Sequence, residues 1–187
     1  VMAWASGHVS TKEMLRNWVV VYFGNLIGAV GLVVLVFFSH HLEMNEGRVG
    51  LSILNTAIAK IRPDAVTLFF KGVLCNLLVC LAVWLAYAGR SVTDKIVALI
   101  LPVSAFIAAG FEHCVANMYF LPLVWLIAST GKVPDGFDAS VITTSGILHN
   151  LVPVTLGNIV GGAALVGAVY WTIYRATFGA GSIGEQR

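Results

Sequence analysis

A few residues able to do acid–base or hydrogen-bond chemistry stand inside otherwise apolar stretches. Glu112, His113 and Asn117 share one stretch, Asn76 lies in another, and His149 sits at the mouth of a third. Inside hydrocarbon each such residue costs free energy, so each is a functional candidate by default. Glu112 and His113 follow Gly110, where a helix can break, and Asn117 lies one turn beyond His113 on the same face. A metal site is not expected, because the adjacent Glu112, His113 and Cys114 cannot all face one ion from one helix. A haem would need facing histidines on different spans, and only His113 is deep enough. Cys75, Cys80 and Cys114 read as buried free thiols. What remains is a central histidine that can donate a hydrogen bond or a proton. Glu112 reads as a cap or charge complement for the half-helix that follows. Asn76 and Asn117 either satisfy backbone groups freed at the break or line a path.

The elements that must position these residues are membrane spans. Of 187 residues, 58% are hydrophobic and 11% are charged, against about 25% charged in soluble chains. That balance excludes disorder, a coiled coil and an ordinary water-soluble enzyme. A net charge of +2 with scattered charges excludes nucleic acid as a partner. Four long apolar tracts run from Asn17 to Phe38, Val66 to Ala88, Ile96 to Ser129 and Ile147 to Ile173. None alternates with period two, so helices are expected rather than a barrel. The third tract would make a straight helix of about 50 Å, against a hydrocarbon core of about 30 Å. The economical reading is one discontinuous crossing, two half-helices broken around Gly110; a strongly tilted, kinked helix is the alternative.

The first and fourth tracts repeat each other. NWVVVYFGNLIG from Asn17 matches NLVPVTLGNIVG from Asn150 without a gap, at an offset of 133 residues. Asn17, Gly24, Asn25 and Gly28 correspond to Asn150, Gly157, Asn158 and Gly161. The glycine pairs form GxxxG, a spacing that lets helix backbones approach, so Gly24, Gly28, Gly157 and Gly161 are expected to pack tightly. With a single third crossing the two copies run in opposite directions, an inverted repeat of three spans. Such repeats place a transport site at their interface, near the midplane. Residues 1–39 then form the end of the first repeat, 40–65 a connection, 66–175 the second repeat and 176–187 a tail. On this reading roughly 90 residues of the first repeat lie upstream. Lys12, Arg16, Arg90, Lys95, Arg175 and Arg187 lie on one side with Glu13, Asp94 and Glu185. Arg48, Lys60, Arg62 and Lys132 lie on the other with Glu43, Glu46, Asp64, Asp135 and Asp138. The positive-inside rule puts both chain ends in the cytoplasm.

One histidine at a helix break suits a weak, monovalent acid anion. The half-helix after Gly110 points the positive end of its dipole at the midplane. Protonating a carboxylate with a pKa of about 4 at pH 7 costs about 4 kcal/mol. Carrying the bare anion through an apolar constriction costs up to tens of kcal/mol in the Born limit. Proton supply from or through His113 is the lower path.

Three motifs resemble the formate/nitrite transporter family, most of all its formate channels: GFEHCVANMYFLP from Gly110, GVLCNLLVCLAVW from Gly72 and NLVPVTLGNIVGG from Asn150. The resemblance implies an all-α, aquaporin-like protomer of inverted three-plus-three repeats with broken helices. It implies a homopentamer in the bacterial inner membrane, with one pore per protomer for formate and similar small anions, no cofactor and no enzymatic activity. By the same resemblance His113 is the central histidine. Lys60 and Asn76 are polar residues on the periplasmic side of the pore, where Lys60 attracts anions. Phe106 and Val79 are apolar lining at the two constrictions. Nitrite or hydrosulfide is the rival cargo within the family. A redox-enzyme membrane subunit and an aquaporin-type neutral channel are the rivals outside it; the sequence has no Asn-Pro-Ala string.

Overall fold

The computed structural model describes residues 1–131, 133, 134 and 137–180, with side chains through Arg175. Its elements are α1 (Met2–Ala5), α2 (Thr11–Phe38), a 3-10 turn (His41–Glu43), α3 (Arg48–Ile61), α4 (Ala65–Ala88), α5 (Val92–Ala108), α6 (Cys114–Ser129) and α7 (Thr144–Ile159). A π-helical segment, Val160–Ala168, joins α7 to α8 (Val169–Ala180) without a break. Among the described residues, three helices are long and apolar enough to cross a membrane: Thr11–Phe38, Ala65–Ala88 and Thr144–Arg175. Lys132, Asp135, Glu185 and Arg187, used in the charge comparison, lie outside the described residues. So does most of the 176–187 tail, although α8 carries on past residue 175.

Polar caps start the long helices. Ser10 accepts the Glu13 N–H while the Glu13 carboxylate accepts the Ser10 N–H, a reciprocal capping box at α2. Ser91 and Asp94 repeat that box at α5. The Asp64 carboxylate accepts the N–H groups of Val66 and Thr67 at α4. Each cap pairs one or two of the orphan donors in a helix's first turn, which matters where little water is at hand.

The third tract is two helices, α5 and α6, separated by residues 109–113. Each is about 25 Å long, shorter than a bilayer core. They do not lie side by side: α5 packs along α4, while α6 packs against α2 and α7. Gly110 supplies the turn, with φ +65°. A Cβ there would meet nothing within 4 Å, so the need for glycine is conformational, not steric.

The connection 40–65 holds α3. Leu54, Ala57, Ile58 and Ile61 are its buried stripe, at the spacing of an amphipathic helix. Leu54, Ala57 and Ile61 join Met118, Leu121, Val124 and Ile127 of α6 with Leu151 of α7 in one core. In contrast, α2 and α5 carry apolar side chains outward, including Phe23, Ile27, Leu35, Ile100, Leu101 and Ile107. Such contiguous apolar faces suit lipid or a packed neighbour rather than water.

The tightest helix contact is α4 on α7. A Cβ at Gly157 would strike the Phe69 carbonyl, and one at Gly161 the Val73 carbonyl. Backbone approaches backbone there, as small residues permit. Their repeat partners Gly24 and Gly28 face no atom within 4 Å.

Candidate functional site

The break between α5 and α6 exposes backbone groups that must find partners inside the protein. The N–H groups from Ala109 to Glu112 and that of Cys114 all find one. Ala109, Gly110 and Phe111 donate back to Ala105, Ile107 and Phe106 carbonyls. The Glu112 N–H crosses to the Lys71 carbonyl of α4 at 3.3 Å. The Asn158 side chain then spans His113 on both sides. Its Oδ1 accepts the Cys114 N–H at 2.9 Å, and its Nδ2 donates to the Glu112 carbonyl at 2.9 Å and the Gly72 carbonyl at 2.8 Å. Asn76 Nδ2 donates to the Asn158 carbonyl at 2.6 Å. One residue of α7 therefore clamps the break to α4.

His113 is the N-cap of α6. Its Nδ1 accepts the Ala116 N–H at 3.3 Å. A backbone N–H can only donate, so in the neutral ring the hydrogen resides on Nε2. The ring stacks on Phe106, with centroids 6.1 Å apart and planes inclined by 24°. Glu112, expected to cap or charge-complement the half-helix, does not supply the cap. Its side chain turns toward α3, because the next residue already fills the cap.

Glu112 instead meets Lys60, whose Nζ lies 3.2 and 3.3 Å from the two carboxylate oxygens. Their side chains are 15% and 4% exposed, so this is a shielded ion pair. Asn117 Nδ2 donates to Glu112 at 2.7 Å and to Asn150 Oδ1 at 2.7 Å. Asn150 Nδ2 donates to the Lys60 carbonyl at 2.7 Å. Three helices and the break thus meet in one network. The Asn117 Oδ1 is buried without a partner among the described residues.

Two cavities flank the break. One, of about 400 Å³, is lined by Lys60, Lys71, Phe106, Gly110, Glu112 and His113 among others. The other, of about 610 Å³, is lined by Asn17, Asn25, Asn76, His113, Cys114 and Asn158 among others. His113 is the one residue the two linings share.

The structure thus gathers Gly110, Glu112, His113, Asn117, Lys60 and Phe106. It separates Lys60 from Asn76, expected on the same side: Asn76 is a turn farther along α4 than Gly72 and lines the opposite cavity. Val79 lines neither cavity. His149 is engaged elsewhere, its Nε2 lying 2.9 Å from the Pro63 carbonyl. Asn150 and Asn158 escaped notice as site residues; their only signal was the matched asparagines of the repeat. No cluster of His, Cys, Asp or Glu suited to a metal occurs among the described residues.

A family model described as formate/nitrite transporter matches residues 1–172. The chain is 42% identical to the formate channel FocA of Escherichia coli over 183 residues, covering 93% of this chain and 64% of that protein. A solved pentameric formate channel with formate bound aligns with TM-score 0.81 at 42% identity, over 90% of this chain and 69% of that one. A solved ion channel of the FNT family aligns with TM-score 0.77 at 35% identity, over 91% and 64%. The chain spans just under two thirds of the length of the curated relatives that it matches first.

Proposed function

The chain belongs to the formate/nitrite transporter family, and from that membership we propose that it works in a membrane channel passing formate and related small monovalent anions. The proton that neutralises the anion is supplied through His113. One observation carries the reading: His113 is shared by two cavities that lie on the two sides of a broken helix. A solute leaving one cavity for the other passes that ring and the Phe106 face stacked on it.

The chemistry follows from the ring's bonds. Nε2–H is free to donate to an anion, while Nδ1 holds the first turn of α6 through the Ala116 N–H. A proton crossing the ring enters at one nitrogen and leaves at the other. Entry at Nδ1 replaces the bond to Ala116, so proton passage and the cap of α6 compete for the same lone pair. The positive end of the α6 dipole favours the anion before it is neutralised.

The proposed assembly is a homopentamer in a bacterial inner membrane, after the pentameric relative, with the C-terminus in the cytoplasm as the charge bias suggests. Nitrite and hydrosulfide, also conjugate bases of weak acids, are the alternative cargo. Flux of formate, nitrite and hydrosulfide into liposomes holding the full-length protein tests the reading. Formate is expected to enter faster than into empty liposomes. Equal rates would overturn the proposal, and faster nitrite or hydrosulfide entry would reassign the cargo.

A further inference from the structure

The cavity on the α3 side holds two lysines and one carboxylate, Lys60, Lys71 and Glu112, and no other acidic residue lines it among the described residues. Lys60 and Glu112 neutralise each other at 3.2 Å. The carboxylate is held further by Asn117 and, at 3.4 Å, by Asn150. A charge so compensated attracts little. Lys60, the residue that family resemblance makes the anion attractor, is therefore poorly placed to do that work alone.

Lys71 is placed differently. It stands on the span α4, about 9 Å in from Ala65, half-buried and on the wall of the same cavity. Its carbonyl accepts the Glu112 N–H, which fixes its backbone at the level of the break. Its ammonium has no ion-pair or hydrogen-bond partner among the described residues. A cation on a membrane span without a partner calls for a reason.

We propose that Lys71 is an anion-capture residue of this cavity, supplying the positive charge that Lys60 does not and drawing small monovalent anions toward His113. The proposal rests on the channel reading above. A cleft with low-dielectric walls focuses the field of a single charge and raises the local concentration of its counter-ion. Lysine suits a passing ion, because a point charge attracts it without the bidentate grip of a guanidinium. The alternative is that the Lys71 stem reaches along α4 to place its head at the membrane surface, as lysines near span ends do.

Formate uptake by the full-length protein in liposomes separates the two. Initial rates are measured against formate concentration for the wild type, Lys71→Met, Lys71→Gln and Lys71→Arg, each first checked for a single oligomeric peak. At low ionic strength both neutral variants are expected to raise the half-saturating concentration by about tenfold, with the maximal rate retained and the arginine variant close to wild type. At about 1 M salt, where the Debye length is about 3 Å, the difference shrinks. Unchanged half-saturation in both neutral variants, in a wild type that passes formate, overturns the role of Lys71 alone. A wild type that passes no formate overturns the channel reading instead.

Discussion

The Tyr22 hydroxyl lies 3.3 Å from the Thr155 hydroxyl, and the two residues are 133 positions apart. That separation equals the offset of the internal repeat, so each residue touches its own counterpart. In two segments related by a two-fold axis, only positions near the axis can do so. Such a contact is what a two-fold relation between the two copies would produce, and both residues line the larger cavity.

The coupling of these two hydroxyls is measurable. Tyr22→Phe, Thr155→Val and the double variant form a cycle. A coupling energy of about 0.6 kcal/mol is expected, the usual scale for side-chain hydrogen bonds inside membranes. Reversible unfolding of the full-length protein in mild detergent gives the number. Purely additive effects would show that the contact is not made.

Lys60 and Glu112 should be worth more broken than paired. Lys60→Met strands a carboxylate that is 4% exposed, which costs about 3–5 kcal/mol. Lys60→Met with Glu112→Gln removes both charges, and the amide can still meet Asn117 and Asn150. The double variant is expected to recover most of the stability that the single variant loses. Equal loss in both, read from thermal unfolding, would mean that the pair is not shielded.

Asn158 is the clamp on the break. Asn158→Ala frees the Gly72 and Glu112 carbonyls and the Cys114 N–H, and a single unsatisfied buried group costs about 1–3 kcal/mol. Among the described residues its repeat partner Asn25 bonds only within its own helix, its Nδ2 donating to the Val21 carbonyl at 2.9 Å. Amide exchange at Cys114 should rise in Asn158→Ala more than exchange at the centre of α2. Unaltered protection at Cys114 would contradict the clamp.

Asp64 gives α4 a dependence on acid. The Thr67 N–H, then the Thr67 hydroxyl, hold the exposed carboxyl below its ordinary value of 3.8. A group lowered on folding stabilises above its unfolded value, and the benefit disappears as pH falls through the folded value. Asp64→Asn can still accept at the cap, so stability should lose part of its slope below about pH 4. An unchanged slope would show that the cap carries no linkage.

Much of this architecture was legible because hydrocarbon leaves few choices. Long apolar tracts must be helices, and a tract too long for one crossing that contains Gly110, Glu112 and His113 must accommodate an interruption. The helix α3 was less visible, since Lys60 and Arg62 punctuate a short stripe of Leu54, Ala57, Ile58 and Ile61 that only tertiary packing reveals. The Lys60–Glu112 pair closes over 52 residues, a distance that no local pattern encodes. Asn150 and Asn158 were visible as repeat markers but not as partners, because their bonds depend on where α7 meets the break. The cap, one of the two roles expected of Glu112, went to its neighbour for a similar reason: one residue's shift decides which side chain faces α6 and which faces α3.

The central claim is that His113 passes the proton that lets an anion cross. Formate uptake into liposomes across a pH series, for the full-length wild type and for His113→Asn, tests it most directly. The amide can still accept the Ala116 N–H but cannot relay a proton at neutral pH. The account predicts that the variant folds, loses proton-coupled uptake and loses the wild-type pH dependence. A variant with the same pH profile and the same proton coupling as wild type would contradict it.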